Sequence, residues 1–352
     1  MSGGVDSSAA ALMMKNEGWE CVGATMRLFD PEETEPGCKS CCSFRDALDA
    51  SSVARRLEIP FHIMDFREEF KKEVIDRFIS EYEAGRTPNP CIECNRHLKL
   101  GYLWEKAREL GCDAIATGHY ARIEEEDGRL VLKKALDENK DQSYVLYMIP
   151  RDMLGMIKFP LGGMTSKNET RQTAKDAGLA NSQKRESQDI CFVPDGDYAA
   201  VIEKYTGKTY EEGDFVDEEG NVLGRHRGIH HYTTGQRKGL GISALPEPYY
   251  VIRKDTEANT VVLGPNDRLF ERELEADDVN WIYFAPGEVP ESFRCAAKIR
   301  YKAKPAPCTV FKKSGSESEI RVLFDEPQRA VTPGQAVVFY DGEIVLGGGT
   351  IL

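Results

Sequence analysis

Ser2-Gly3-Gly4-Val5-Asp6-Ser7-Ser8, running straight into Ala9-Ala10-Ala11-Leu12-Met13-Met14, decides how the first half of this chain is read. Glycines allow close backbone approach, serine hydroxyls and loop amides can donate to phosphate oxygens, and a helix N-terminus adds partial positive charge. The stretch reads as a phosphate cradle. It lacks the lysine with which a GxxxxGK[ST] loop holds terminal phosphates, which disfavours transfer of a γ-phosphoryl group. A plain Gly-rich turn would not need Ser, Gly, Gly, Asp and Ser together before a helix. Such loops ordinarily follow a buried central strand. None precedes Ser2, and we expect a start that falls short of it rather than a sheet that closes without it.

Outward from the loop, strand-like and helix-like segments alternate, as a parallel sheet with crossover helices requires. Glu20 to Phe29, Ile59 to Phe66 and Asp113 to Ile123 read as strands. Phe66, Phe70, Val74, Phe78 and Tyr82 recur every four residues among charges, which predicts an amphipathic helix on that sheet. Ser166 and Glu169 form a capping box whose helix can close at Gly178. After about residue 196 the chain turns to short alternating runs with no long helical period. Tyr249 to Ile252 with Thr260 to Leu263 suggests a small central module. Phe293 to Tyr301, Pro307 to Lys312, Glu319 to Phe324 and Gln335 to Leu346 suggest a C-terminal barrel. The expected domains are 1–195, 196–275 and 276–352.

A length of 352 residues exceeds one ordinary core, and 41% apolar with 30% charged residues is globular composition. No run is long and apolar enough for a membrane span or a signal peptide, so a cytoplasmic location without a membrane partner is expected. Ten cysteines are too sparse for a disulfide scaffold and point to a reducing compartment. Cys21, Cys112, Cys295 and Cys308 read as small core residues. A formal charge of −13 argues against general affinity for nucleic acid. Two segments run against that total without an acid: 296–313, with Lys298, Arg300, Lys302, Lys304, Lys312 and Lys313, and 225–238, with Arg225, Arg227, Arg237, Lys238 and three histidines. Such segments suit one specific RNA; solvated strand faces are the alternative.

The chemistry sits in cysteines. Asn89 is a good N-cap and Pro90 a good first helical residue, so Cys91 and Cys94 fall in a first turn, where amides and dipole favour thiolate. That helix can end at Gly111. Cys191 lies in Lys184-Arg185-Glu186-Ser187-Gln188-Asp189-Ile190-Cys191-Phe192, where Lys184 and Arg185 could favour a nearby anion. Cys38, Cys41 and Cys42 cluster before Asp46 and Asp49; a loop with incidental thiols is preferred there over a metal or sulfur site.

The loop resembles the PP-loop of the ATP pyrophosphatase superfamily, adenine nucleotide alpha hydrolase-like, in which pyrophosphate leaves and the substrate becomes adenylated. TPNPCIECN (87–95), TGHYAR (117–122), NKDQSY (139–144), DICF (189–192), TTGQRKGLGI (233–242), IRYK (299–302) and VTPGQAVVFYDGEIVLGGG (331–349), in that order, resemble the tRNA-specific 2-thiouridylase family, bacterial and organellar. The resemblance implies an α/β fold: a PP-loop parallel-sheet domain for adenylation and sulfur transfer, a small central β-rich tRNA-binding domain and a C-terminal β-barrel. It implies Cys94 as nucleophile and Cys191 as persulfide carrier. It places nucleotide contacts at Ser2, Gly3, Gly4, Val5, Asp6, Ser7, Ser8, Met26 and Gly118. Asn89, Pro90 and Cys91 would meet the target base, and Lys140, Asp141, Gln142, Arg300 and Tyr301 the tRNA.

The activity that the resemblance implies is ATP-dependent 2-thiolation of a tRNA wobble uridine. ATP with Mg²⁺ would adenylate the C2 oxygen, and a persulfide loaded by a sulfur donor protein, a cysteine desulfurase or relay, would supply sulfur. Cys91 departs from the family's frequent aspartate. Cys91, Cys94 and Cys191 together could instead ligate a [4Fe–4S] cluster with one iron open for sulfide, while zinc lacks a fourth ligand. Another PP-loop adenylating synthetase would share the loop but need neither Cys94 nor Cys191. A catalytically silent tRNA-binding protein would need only the β domains. His119 is expected to support the loop; the histidines at 226, 230 and 231 could face phosphates or solvent.

Overall fold

The alanine-rich run after the loop is a helix, Val5–Asn16, whose buried residues include Val5, Ala9, Ala10, Leu12 and Met14. The protein is taken from a computed structural model and described over residues 1–29, 44–184, 190–193, 196–242, 247–313 and 315–352; Cys38, Cys41 and Cys42 lie outside these. Strand β1 (Gly23–Arg27) pairs in parallel with β2 (Phe61–Asp65), with helix Phe44–Arg56 between them. The strand expected over 113–123 is two strands, β3 (Ile115–Ala116) and β4 (Ala121–Glu126), because the chain must leave the extended form to press Gly118 against the loop. β5 (Arg129–Lys134) returns antiparallel to β4, and β6 (Ile157–Lys158) runs parallel to β3.

The four-residue apolar period does make a helix, continuous over 67–83, with a π-wound turn at Lys71–Ile75. Phe66, Phe70, Val74, Phe78 and Tyr82 are all at most 3% exposed. At about 2 kcal/mol per fully buried large side chain, this face outweighs the weak helix propensity of its aromatics. Asn89 caps the next helical stretch, 90–109, by accepting from Cys91 N at 3.2 Å; Pro90 is its first residue, and Gly111 beyond it takes φ +77. Ser166 caps Lys167–Asp176, and Gly178 comes just after it at φ +69.

After 196 the described residues are mainly β structure with short 3-10 turns and one α-helix, Tyr198–Thr206, capped by Asp197 and closed by Gly207 at φ 65. Among its apolar residues only Ala199 and Ile202 are buried, too few to print a period on the sequence. β7 (Gly213–Val216), β8 (Val222–His226), β9 (Tyr250–Asp255) and β10 (Thr260–Gly264) form a four-stranded sheet in the order β8-β7-β10-β9. β11 (Phe270–Asn280), β12 (Ser292–Lys298), β13 (Ala306–Lys312), β14 (Ile320–Arg329), β15 (Ala336–Asp341) and β16 (Ile344–Ile351) close into a six-stranded barrel, β16 returning to β11. The boundary expected at 275/276 therefore falls inside β11. The β4–β5 hairpin of the first segment extends the same sheet through the pairing of Lys133 with Ile344. Phe324, Phe339 and Val310 are among the barrel's core side chains.

Of the cysteines read as core, Cys308 is fully buried; Cys295, its cross-strand partner at Sγ–Sγ 3.6 Å, and Cys21 and Cys112 are half-buried. Among the described residues no helix is long and apolar enough to cross a membrane.

Candidate active site

The loop is braced from three sides. Within it, Ser7 Oγ accepts from Ser2 N (3.0 Å) and donates to Gly4 O (3.2 Å), while Ser8 Oγ donates to Gly4 O (2.9 Å). Gly3 stands at φ +68 with its Cα against the Asp46 backbone, where a Cβ would lie 2.3 Å from the carbonyl oxygen. From behind, Asn181 Nδ2 donates to Gly3 O (3.0 Å), Gly4 O (3.2 Å) and Ser8 Oγ (2.8 Å). Lys184 Nζ reaches Gly3 O (3.3 Å), Asp46 Oδ1 (2.5 Å) and Asp49 Oδ2 (2.6 Å). Burial pulls the Lys184 pKa down, but its two carboxylate partners outweigh that and hold it above the ordinary value. Lys184 thus braces the loop. On the third side Asp6 pairs with Lys167 and accepts from Tyr120 OH (2.8 Å), which also meets Thr170 Oγ1 (2.9 Å).

TGHYAR supplies the loop's wall. A Cβ on Gly118 would lie 2.7 Å from Ser7 N and 2.8 Å from the Asp6 carbonyl carbon, so only glycine lets this backbone approach. His119 is buried; burial, then the Lys99 cation, push its pKa well below 6.5. Lys99 Nζ can only donate, so Nε2 (3.2 Å) accepts and Nδ1–H donates to Thr117 Oγ1 (2.8 Å). A neutral, doubly satisfied ring is a support, as expected from the sequence.

Cys94 and Cys191, separated by almost a hundred residues, pack against one apolar cluster that contains Phe70, Phe78, Leu98 and Phe192, and Met26 of β1 packs there too. Both thiols are half-buried, whereas Cys91 is exposed. The segment before them hangs from the barrel: Thr87 N donates to Pro333 O (2.8 Å) and Gln335 Nε2 to Thr87 O (2.7 Å). Gly334, at φ +87, packs so close that a Cβ would stand 2.9 Å from Thr87 N. Beside Asn89 and Pro90 a cavity of about 480 Å³ opens between this helix and the barrel, lined also by Arg77, Arg86, Glu93, Asp277 and Asp278. Arg96 closes the seam on Asp278 at 2.5 and 3.2 Å.

The two stretches expected from the sequence to meet the tRNA lie against each other. Tyr301 packs edge-on against Tyr144, 6.1 Å between centroids, and Lys298 Nζ lies over both rings at 5.8 and 5.6 Å. Burial depresses the Lys298 pKa, against an opposing pull from Asp141. Asp141 itself is spent on structure, accepting from Ala135 N and Ser143 N (both 3.1 Å) and from Ser143 Oγ (2.9 Å). Gln142 likewise accepts from Tyr120 N at 3.0 Å. Lys140 is half-buried; Arg300 is exposed and donates to Arg329 O (3.1 Å). In the other basic stretch, Arg225 is answered by Asp214 (3.2 Å) across the strand pair, and His226 and His230 are buried rather than facing phosphate.

Three domain profiles match the chain in order: "tRNA methyl transferase HUP domain" on 1–195, "tRNA methyl transferase PRC-barrel domain" on 199–265 and "Aminomethyltransferase beta-barrel domain" on 271–351. Proteins named tRNA-specific 2-thiouridylase MnmA from Clostridioides difficile (strain 630), Acetivibrio thermocellus and Geotalea uraniireducens (strain Rf4) are 49%, 50% and 50% identical to it. The alignments span 100% of this chain and 96%, 97% and 93% of those proteins. The chain belongs to the tRNA-specific 2-thiouridylase family. Its HUP, PRC-barrel and β-barrel parts are the three-part architecture expected of that family from the sequence. A solved structure of NMN synthetase from Francisella tularensis matches at TM-score 0.32 and 16% identity, over 60% of this chain and 76% of that one, too slight a likeness to bear on either. Within this 2-thiouridylase-family chain, sequence reasoning missed Lys167 and Asn181 as supports of the loop. Neither sits in a local pattern; they reach Asp6 and Gly3 from 161 and 178 residues away.

Proposed function

We propose that this protein thiolates C2 of a tRNA wobble uridine in the cytoplasm, using ATP with Mg²⁺ as substrate. The single observation that carries the reading is the convergence of Cys94, Cys191 and Met26 on one apolar cluster. The loop's amides and its braced helix N-terminus suit a pyrophosphate leaving group. The uridine C2 oxygen attacks the α-phosphate, pyrophosphate departs, and C2 becomes an activated O-adenylate. A cysteine desulfurase or relay loads Cys191 as a persulfide. Its terminal sulfur attacks C2 and AMP leaves. The Cys94 thiolate then attacks the inner sulfur and releases the thiolated base; alternatively that attack comes first, and the sulfide it frees adds to C2 as AMP leaves. Either way a Cys94–Cys191 disulfide remains to be reduced. The cavity beside Asn89 and Pro90 is of a size that admits a flipped base. Arg300, Tyr301 and Lys140 would hold the tRNA backbone.

Cys91, Cys94 and Cys191 have the right donors for a [4Fe–4S] cluster, which would supply an iron-bound sulfide. The packing favours the pair over the trio, since Cys91 is exposed while the other two share that cluster. Anaerobic purification with iron and sulfide assays, followed by thiolation of unmodified tRNA, tests this. The relay expects activity restored by a persulfide donor without iron; about four irons per chain with iron-dependent activity would replace it with the cluster route. Cys94→Ala and Cys191→Ala should each abolish thiolation while tRNA-dependent pyrophosphate release continues. Thiolation surviving in either would sink both sulfur schemes.

A further inference from the structure

We propose that Glu203, His230 and His231 form a binding site for a divalent transition-metal ion of the zinc type. The three come from two elements, the helix Tyr198–Thr206 and the turn Ile229–His231 that comes after β8. One ligand atom from each lies within 4.8 Å of the others. His230 Nε2 stands 3.2 Å and His231 Nε2 3.6 Å from Glu203 Oε1. Ligand atoms about 2.0–2.1 Å from a tetrahedral zinc lie roughly 3.3 Å apart, close to the two imidazole–carboxylate separations, 3.2 and 3.6 Å. Only His230 is within hydrogen-bond distance of that carboxylate oxygen, His231 standing beyond it, and a cation among them engages all three.

The site is built rather than incidental. His230 is fully buried, its ring 4.1 Å from that of Tyr210 and pressed by the Gly228 backbone, where a Cβ would lie 2.6 Å from Cε1. Asp197, Glu203 and Glu83 set negative charge around the two histidines, against Arg227 and Lys254. Glu203 is 45% exposed, which gives an ion an entry path and room for a water as fourth ligand. Bound metal would clamp the turn to the helix, where the central sheet meets the first segment.

Full-length protein stripped with a chelator and titrated with Co²⁺ tests the assignment. The expected result is one ion per chain with tetrahedral d–d absorption and no thiolate-to-cobalt charge transfer, displaced by Zn²⁺. His231→Ala and Glu203→Gln, both at partly exposed side chains, should each weaken binding at least about tenfold with circular dichroism unchanged. Cobalt seen only on thiolates, no cobalt bound, or both variants binding like the parent would overturn it.

Discussion

At the glycine loop Lys167 answers Asp6 and Lys184 answers both Asp46 and Asp49, whereas the exposed turn after β12 presents Arg300, Lys302 and Lys304 with no ion pair among the described residues. The first arrangement spends charge to fix a backbone. The second keeps charge unspent, which is what a polyanion requires, because affinity comes from displacing counterions from phosphates. On the proposed function, a protein of net charge −13 would grip RNA at this turn while the loop's charges stay committed to its backbone. The basic stretch over 225–238 shows that composition alone does not separate the two cases. It contains no acid of its own, yet Asp214 and Glu212 from the neighbouring strand region meet Arg225.

The sharpest break of this contrast lies in the chemistry. Cys191→Ser should lower thiolation by at least about a thousandfold with tRNA affinity unchanged, read by single-turnover assay and filter binding. If affinity fell instead, the first segment would be doing the gripping. Lys254 is a third case, a half-buried cation held by Tyr232 O (2.9 Å) and the Tyr82 ring, its pKa lowered by desolvation to about 8. Charging it in the folded state costs on the order of 3 kcal/mol, fully present below pH 8 and gone by about 10.5. Urea midpoints should accordingly put Lys254→Met above the parent at pH 7 and nearer to it at pH 10.

Gly118→Ala forces the wall off the loop and should cost roughly 1–3 kcal/mol in adenylation, seen as slower pyrophosphate release with tRNA binding intact. Arg300→Ala is the converse. It should weaken tRNA binding several-fold at low salt, less at high salt, and flatten the salt slope by about 0.7–0.9 per lost phosphate contact, leaving ATP affinity alone. Arg225→Ala, already paired, should change tRNA affinity by less than about twofold; an effect equal to that of Arg300→Ala would erase the distinction.

Much of the fold was legible because its signals are local. Asn89, Pro90, Ser166, Gly111 and Gly178 mark helix ends by their own chemistry, and the 66–82 period marks a buried face. The strand read over 113–123 failed because Gly118 answers to Ser7, a contact no window of neighbours contains. The 198–206 helix was missed because it buries so little. Of the candidate site, the loop and the Cys91–Cys94 turn stand out by residue type and spacing, whereas Cys191 is picked out only by the family resemblance. The braces Asn181 and Lys184 stand out in neither way, since what makes them matter is a carbonyl at Gly3.

The β4–β5 hairpin, two strands lent to the barrel, also sets a timetable. Lys133 pairs with Ile344, a residue made two hundred positions later, so at ribosomal rates the hairpin waits on the order of ten to forty seconds for its neighbour. During that wait β5 is an open edge, the kind of surface on which nascent chains recruit each other. The hairpin carries its own guard: Lys133 bridges Glu124 and Glu126, and Arg122 holds Glu124, placing charges along the ribbon before the barrel exists to cover it.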